Sequence, residues 1–294
     1  MLNLRSNKIL APYFYQLPSM MLLTILMVIP MIIVFKYSLF DNVIMNRNPS
    51  FIGFNNYVKI FSNSTFWIAL YNTLYFTLFS IIFHLLIGLV FALMLNYIHL
   101  NHFLKSLFRV FYILPWLFTA TIIAVIWRLL LDPLGIINHI LIFLNFIEDY
   151  VEWFSSTDTA LNSVTFVNIW AGYPFYMVSI LAGLQSIPED LYEAAGIDGA
   201  NKLHKFLHVT FPHLQPILLT IILLDFIWTM QVFPLIWLTT GGGPLYSTEM
   251  LSTFTYKLAF SSYKFSLASA SAFIVLLISL SVSIFYIKKQ FKRE

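Results

Sequence analysis

The 294-residue chain contains no cysteine and few charged residues. Without cysteine it can form no disulfide framework, thiol nucleophile or lipoprotein anchor. Charged residues make up 10% of the chain, against about 25% in soluble domains. The net charge of +3 is small and the basic residues are scattered, so nucleic acid binding is not expected. The pattern G-x-x-x-x-G-K-[ST] is also missing, so the chain supplies no ATP site of its own.

Hydrophobic residues, by contrast, make up 60% of the chain, and the mean hydropathy is +0.82. A membrane-spanning helix needs about 20 mostly apolar residues. We predict an all-α integral membrane bundle of six transmembrane helices, forming a single domain over residues 1–294. The predicted spans are about 17–37, 68–95, 107–131, 161–184, 213–238 and 266–287.

The distribution of basic residues predicts how the chain is oriented. Arg5 and Lys8 precede the first apolar run as in a signal peptide, but no small-residue cleavage site follows, so we expect an uncleaved first helix. Six spans place both termini on one side of the membrane. The regions on that side carry ten Lys and Arg, and the other regions carry six. The positive-inside rule therefore places both termini in the cytoplasm.

The loop 188–212, between predicted spans four and five, carries four of the thirteen acidic residues. Ser186 and Glu189 have the spacing of a capping box, Gly199 interrupts the helix, and a second short helix is expected over about 200–209. Such helices rest on the bilayer or dock on a protein. Anionic lipid would repel the acids, which favours a protein partner.

The same loop resembles the EAA loop of ABC importer permeases, whose pattern is E-A-A-x3-G-x9-I-x-L-P. Glu193-Ala-Ala is followed after three residues by Gly199, and after nine more by Val209-Thr-Phe-Pro. Both spacings are kept, although Val and Phe replace the usual Ile and Leu. The resemblance implies that residues 188–199 dock on a separate ATPase dimer. It nominates five coupling residues: Glu189, Glu193, Ala194, Ala195 and Gly199. No cofactor is then expected in this chain, because ATP and magnesium would be used by the ATPase.

Other stretches are similar to the sugar permeases of the maltose, glycerol-3-phosphate and multiple-sugar type. Asn168-Ile-Trp-Ala-Gly-Tyr-Pro-Phe precedes the loop, and Leu238-Thr-Thr-Gly-Gly-Gly-Pro follows span five. Arg109-Val-Phe-Tyr-Ile-Leu-Pro-Trp and Gly135-Ile-Ile-Asn fit the same family. The Gly-Gly-Pro pattern resembles the MalF-like branch. The resemblance implies a type I importer with a second homologous permease subunit and an extracytoplasmic solute-binding protein.

Asp225 is the only acid within a predicted span, and an intramembrane acid is costly unless it is paired or hydrated. Thr229 shares its helical face, and Trp228 lies alongside. On span four, Asn168 and Gly172 share a face with Phe175 or Tyr176. Aromatic rings can stack on a sugar, and polar groups can bind its hydroxyls. The nominated solute-binding residues are Gly172, Phe175, Asp225, Trp228, Thr229 and Val232.

In the resembling maltose permease, substrate contacts come from these two regions. Three positions depart from the polar residues expected there: Phe175 replaces Tyr, and Thr229 and Val232 each replace Asn. The resemblance therefore implies a pocket whose ligand differs. Asp225 could bind hydroxyls, attract a cationic group, or pair with a polar residue of the partner subunit. His84 in span two is expected to be a packed, hydrogen-bonded core residue.

The sequence therefore predicts the permease subunit of an ABC importer in the bacterial cytoplasmic membrane. It would move a sugar or oligosaccharide by alternating access, in contact with membrane lipid and without catalytic residues or a metal. One alternative is a secondary transporter with Asp225 as a proton or sodium site, which leaves the 188–212 loop unexplained. A scaffold or signalling membrane protein is the other alternative.

Overall fold

The computed structural model describes residues 4–96 and 101–290, which are predominantly helical. Within these ranges there is no β-strand, and one isolated bridge pairs Phe40 with Phe51. The predicted all-α class is thus confirmed. Two compact units divide the chain: Met1–Asn63 with Thr255–Leu277, and Ser64–Phe254 with Ile278–Glu294.

The helices follow one another with short connections. In chain order they are α1 Leu4–Leu23, α2 Ile29–Ser38, α3 Asn55–Phe61, α4 Ser64–Asn96, α5 His102–Leu117, α6 Ala120–Leu130, α7 Ile136–Phe143, α8 Ala160–Gln185, α9 Glu189–Ile197, α10 Lys202–Lys205, α11 Phe211–Met230, α12 Pro234–Thr239, α13 Leu251–Tyr256 and α14 Phe265–Gln290. Two π-helical segments, Thr24–Val28 and Phe206–Thr210, connect neighbouring helices without a break, and a third, Lys257–Ser261, extends the end of α13.

Five helices in the described ranges are long and apolar enough to cross a membrane: Phe14–Ser38, Ser64–Asn96, Ala160–Gln185, Lys202–Met230 and Phe265–Lys288. The stretch 107–131, predicted as one helix, instead forms α5 and α6, which meet at 98°. The backbone is extended at Phe118 and Thr119, and Thr119 Oγ1 accepts a hydrogen bond from the Ile122 N–H at 3.4 Å. The Thr119 side chain therefore caps the start of a new helix, α6, and the span is not one continuous helix. Counted together, α5 and α6 are a sixth candidate.

The predicted span 213–238 is also interrupted. α11 ends at Met230 and α12 begins at Pro234. Proline disfavours the helical conformation in the residue before it, and Phe233 has a φ of −124°. The break therefore follows from local sterics.

In the first unit, side-chain bonds fasten the loop after α2 to α3. Asn56 Nδ2 donates to the carbonyls of Ser38 and Phe40 at 2.8 and 2.9 Å. The hydroxyls of Ser38 and Tyr57 lie 2.7 Å apart. Burial raises the pKa of Tyr57, while its bond to Ser38 lowers it by a smaller amount. The buried end of α2 thus has its polar groups paired.

In the second unit, α4 and α8 pack closely. Gly88 makes this possible, because a Cβ there would collide with Tyr176 and with the backbone of Met177. Small residues allow membrane helices to approach in this way. Buried apolar side chains of α4, α8 and α11 form the core around this contact: Ala92, Leu95, Met177, Ile180, Leu214 and Leu218.

Candidate functional site

Residues 188–212, which we name the coupling loop after the role that the resemblance implies, begin with α9. Glu189 and Asp190 occupy the first turn of this helix, where the helix dipole stabilises negative charge. Glu189, Glu193 and Ala194 are exposed, and Ala195 is half-buried. α9 therefore presents acidic side chains beside a small apolar surface.

The predicted capping box is wrong. The residue that precedes α9 is Pro188, whose side chain makes no capping bond. Ser186 instead stands at the end of α8, where its hydroxyl donates to the Gly183 carbonyl at 2.8 Å. Because α8 extends to Gln185, the Ser186 hydroxyl satisfies a carbonyl of the preceding helix.

Gly199 makes the turn after α9. Its φ is +80°, a left-handed conformation that glycine adopts without steric cost. The Gly199 N–H donates to the Gly196 carbonyl at 3.1 Å, and the Ala200 N–H donates to the Ala195 carbonyl at 2.9 Å. These bonds close the C-terminus of α9.

The next helix begins at Lys202, capped by Asn201, whose Oδ1 accepts from the His204 N–H at 2.9 Å. It was expected to be a separate short helix over 200–209. It instead continues to Met230 through the π-helical segment. Tyr192 Oη lies 2.9 Å from Thr210 Oγ1, so α9 is bonded to this long helix. The coupling loop is therefore joined to α11 in two ways, by the continuous helix 202–230 and by the bond between Tyr192 and Thr210.

Ile197 and Leu203 are the most exposed large apolar side chains of the coupling loop. Ile197 is 88% exposed and Leu203 is 63% exposed. Isolated exposed apolar residues are common, but here they flank the Gly199 turn next to exposed acids. Leu203 is not among the residues nominated from the sequence, although an apolar residue between Lys202 and His204 indicates a surface of this kind.

Asp225 lies at the centre of a buried polar cluster. His84 Nδ1 is 2.8 Å from one carboxylate oxygen, and Tyr176 Oη donates to the same oxygen at 3.0 Å. Thr229 Oγ1 donates to the other oxygen at 2.8 Å. Asp225 is only 7% exposed and Tyr176 is fully buried. Three helices, α4, α8 and α11, thus converge on one carboxylate.

The imidazole of His84 connects this carboxylate to the backbone of α8. Its Nε2 lies 3.0 Å from the Asn168 carbonyl, and Asn168 Nδ2 donates to Ser80 Oγ at 2.9 Å. Gly172 leaves room for the ring, because a Cβ at that position would collide with it. His84 is thus a packed, hydrogen-bonded core residue, as its position in the sequence indicated.

Two more of the nominated solute residues, Phe175 and Trp228, form an aromatic surface together with Trp116, which was not nominated. The rings of Phe175 and Trp228 have centroids 5.4 Å apart, and those of Trp116 and Phe175 are 6.1 Å apart. Trp116 is 52% exposed and Trp228 is 57% exposed. Val232 is half-buried, and its carbonyl accepts from Ser252 Oγ at 2.6 Å. Trp116 and Trp228 are thus exposed and Phe175 is half-buried, whereas Asp225 and Thr229 are buried.

The Thr-Thr-Gly-Gly-Gly-Pro stretch forms a compact turn after α12. Thr248 Oγ1 donates to the Gly243 carbonyl at 2.6 Å. Asn72 Nδ2 joins the turn to α4 by donating to the carbonyls of Tyr246 and Glu249, both at 3.1 Å. A cavity of about 370 Å³ adjoins the turn. Its lining includes Arg128, Asp132, Trp153, Thr240 and Pro244.

The chain is similar to known transport proteins over nearly its whole length. The family described as "Binding-protein-dependent transport system inner membrane component" matches residues 14–291. A probable ABC transporter permease of Brucella suis biovar 1 is 34% identical, with 96% of this chain and 97% of the relative covered. The trehalose/maltose transport system permease protein MalF of Thermococcus litoralis is 32% identical, with 96% and 94% covered.

The fold is also shared with a solved structure. The chain superposes with a TM-score of 0.83 on a chain of a bacterial ABC transporter involved in the import of the acidic polysaccharide alginate. The alignment covers 98% of each chain at 22% identity. At this identity the likeness shows the fold alone, and that fold is the predicted type I importer permease fold.

Proposed function

This chain belongs to the family of binding-protein-dependent transport system inner membrane components, the ABC importer permeases, and we propose that its solute is a sugar or oligosaccharide. The Thermococcus litoralis relative, named as a trehalose/maltose permease, supports this solute class. The alternative of a secondary transporter is not supported. The chain is a multi-pass membrane protein that contributes a path for the solute. The energy for transport comes from a separate ATPase.

The observation that carries the proposal is the continuity between the coupling loop and α11. In our account α9 sits in a cleft of an ATPase dimer, which binds ATP and magnesium. Glu193 and Glu189 dock there, Ala194 and Ala195 allow close approach, and Gly199 makes the turn. Support comes from the exposure of the acids and from the 2.9 Å bond between Tyr192 and Thr210.

Alternating access follows from this arrangement. Closure of the ATPase dimer would pull α9, and the bonded helix 202–230 would move with it. A cavity beside α8 and α11 would then form and open outward to take the solute, and hydrolysis would reset it. We propose that Gly172, Phe175, Trp228 and Val232 line that cavity, while Asp225 and Thr229 act from beneath it.

The assembly requires partners on both sides of the membrane. We propose a second homologous permease subunit, an ATPase dimer and an extracytoplasmic solute-binding protein. The family description, which names binding-protein dependence, supports the last of these. Both termini face the cytoplasm in this arrangement, and the chain acts as one permease domain with six spans in the bacterial cytoplasmic membrane.

Uptake by proteoliposomes tests this function. The complete complex, with its binding protein outside, should take up radiolabelled oligosaccharide only when ATP is enclosed. Uptake that is driven by a proton or sodium gradient without ATP would contradict the proposal. Failure to transport any sugar under ATP would contradict the proposed solute class.

A further inference from the structure

The cavity of about 370 Å³ lies where residues 128–133 and 153–155 meet the turn after α12. Ligand pockets commonly measure about 300–1,000 Å³, so this cavity is large enough for a small molecule. The first two segments contribute Arg128, Asp132, Trp153 and Ser155 to its lining, and the turn contributes Thr240 and Gly243. None of these residues is among those nominated as solute ligands.

Arg128 and Asp132 bring one cation and one anion to the cavity. Neither forms an ion pair within the part of the chain that the structure describes. The guanidinium uses one N–H, which Nη1 donates to the Leu238 carbonyl at 3.2 Å. Asp132 Oδ1 accepts from the Leu134 N–H at 3.0 Å. An arginine has five N–H donors and a carboxylate about four acceptor sites, so both side chains keep hydrogen-bonding capacity for a ligand.

A buried amide fixes one wall of the cavity. Asn138 is fully buried, and its Nδ2 donates to the carbonyls of Pro133 and Val151 at 3.0 and 2.9 Å. Its Oδ1 accepts from Trp153 Nε1 at 2.9 Å. Because the indole N–H is bonded, the orientation of the Trp153 ring is set. The segment after α6 and the aromatic ring therefore share one rigid frame.

Hydroxyl bonds fix the turn on the other wall. Thr248 Oγ1 donates its proton to the Gly243 carbonyl at 2.6 Å. In the 2.7 Å contact between Thr248 Oγ1 and Thr240 Oγ1, the donor is therefore Thr240. The Thr240 oxygen then keeps a lone pair that can accept from a ligand hydroxyl. A cavity whose walls are already fixed loses little conformational entropy when it binds a ligand.

These groups together match a neutral sugar better than an ion. A sugar hydroxyl both donates and accepts, so adjacent hydroxyls can accept from Arg128 and donate to Asp132. The apolar face of the sugar ring can lie against the indole of Trp153. An anion would gain from Arg128 but would be repelled by Asp132, and a cation would meet the reverse.

We propose, building on the proposed sugar import, that this cavity is an entry site for a neutral hexose unit of the solute. Arg128 and Asp132 bind adjacent hydroxyls, Trp153 contacts one face of the ring, and Thr240 accepts from a further hydroxyl. In the proposed orientation the loops 132–160 and 239–265 lie outside the cytoplasm. The solute therefore meets this site before it enters the membrane.

Protection of an introduced cysteine tests the entry site. The chain has no native cysteine, and Ser155→Cys places a thiol at the cavity. The rate at which N-ethylmaleimide labels this chain is measured by mass spectrometry on the assembled complex in nanodiscs, without binding protein. Maltotriose or cellotriose should slow labelling at position 155 several-fold. Ser262→Cys, an exposed serine in another loop, is the matched control and should label at an unchanged rate.

Fully O-methylated maltotriose separates hydroxyl recognition from mere occlusion. It keeps the sugar rings but has no hydroxyl to donate, so it should protect neither position. Protection at position 155 by neither free trisaccharide would overturn the inference. Equal protection by the methylated sugar, or equal slowing at position 262, would overturn it as well.

The role of Asp132 has its own readout. Asp132→Asn keeps the side-chain shape and an oxygen for the Leu134 N–H, but removes the charge. In the Ser155→Cys background, the sugar concentration for half-maximal protection should rise about tenfold, since a hydrogen bond to a charged group is lost. The labelling rate without sugar should stay the same, which shows that the cavity keeps its shape. Asp158→Asn, at an exposed acid outside the cavity, should leave the half-maximal concentration unchanged. Equal values in the two variants would remove Asp132 from the site.

The two levels of the account fail differently. If proteoliposomes take up a sugar with ATP but neither trisaccharide protects position 155, sugar import stands and only the entry site falls. If no sugar is taken up, the proposed function itself falls.

Discussion

Tyr192 Oη and Thr210 Oγ1 lie 2.9 Å apart, and this bond ties the exposed helix α9 to the helix that carries Asp225 and Trp228. Thr210 is buried at the end of the π-helical segment, directly before α11. No helix break separates it from Trp228. A displacement of α9 would therefore be passed along one continuous helix to the part of α11 that we propose faces the solute.

Removing this bond should weaken coupling. Tyr192→Phe keeps the ring and deletes only the hydroxyl, so the complex should assemble while transport per ATP hydrolysed falls several-fold. Tyr286→Phe is a matched control, since it deletes a tyrosine bond to Thr220 at the exposed surface of the same helix. The measurement is the ratio of sugar uptake to phosphate release in proteoliposomes. The same ratio in both variants would remove the Tyr192 bond from the coupling mechanism.

The turn at Gly199 should not tolerate a side chain. A left-handed residue other than glycine costs about 1–2 kcal/mol, so Gly199→Ala should tilt α9 or loosen the coupling loop and reduce ATP-driven uptake. Gly53→Ala carries the same backbone strain at a φ of +57° in the other unit. Uptake should fall only in the Gly199 variant, and a similar loss in both would indicate general instability.

Charge reversal on α9 should block docking. Glu193→Lys places a cation where the ATPase is expected to receive an acid, and the loss of a charged contact at an interface should weaken association by about tenfold or more. Glu152→Lys reverses an equally exposed acid outside the coupling loop. Copurification of the ATPase with each variant, measured by quantitative mass spectrometry, checks this. Undiminished copurification with Glu193→Lys would contradict the docking role.

The effect of a substitution at Gly172 on the stability of the protein should depend on the side chain at position 84. Gly172→Ala drives a methyl group into the imidazole, and such overpacking costs about 1–3 kcal/mol. The thermal midpoint of the purified complex should fall accordingly. In a His84→Ala background the same change should cost much less, because the methyl group then has space. A fully additive double-mutant cycle would contradict the contact.

The turn at Gly199 could be predicted from sequence because its signal is local. The spacing from Glu193 to Gly199 and on to Pro212 lies within one turn-rich stretch, and Gly199 is in the left-handed conformation such a turn requires. The capping box failed because the spacing of Ser186 and Glu189 did not reveal that α8 extends to Gln185.

The surroundings of Asp225 could be predicted only in part, because its contacts are remote in sequence. His84 and Asp225 are 141 residues apart, and a single sequence offers no means to pair them. The position of Asp225 in an apolar helix indicated that it needed a partner. Which partner it has, and that the pair is buried beneath the rings, depends on how α4, α8 and α11 pack.

We propose above all that α9 is the docking element for an ATPase. Photo-crosslinking tests this contact most directly. The chain has no native cysteine, so Glu193→Cys provides one reactive site for a benzophenone maleimide. Irradiation of the labelled complex should join this chain to the ATPase, with a yield that changes between nucleotide-free and ATP-bound states. Label at Asp158→Cys, an exposed acid outside the coupling loop, should give no such product. Absence of the ATPase adduct from position 193, or an equal adduct from position 158, would contradict the account.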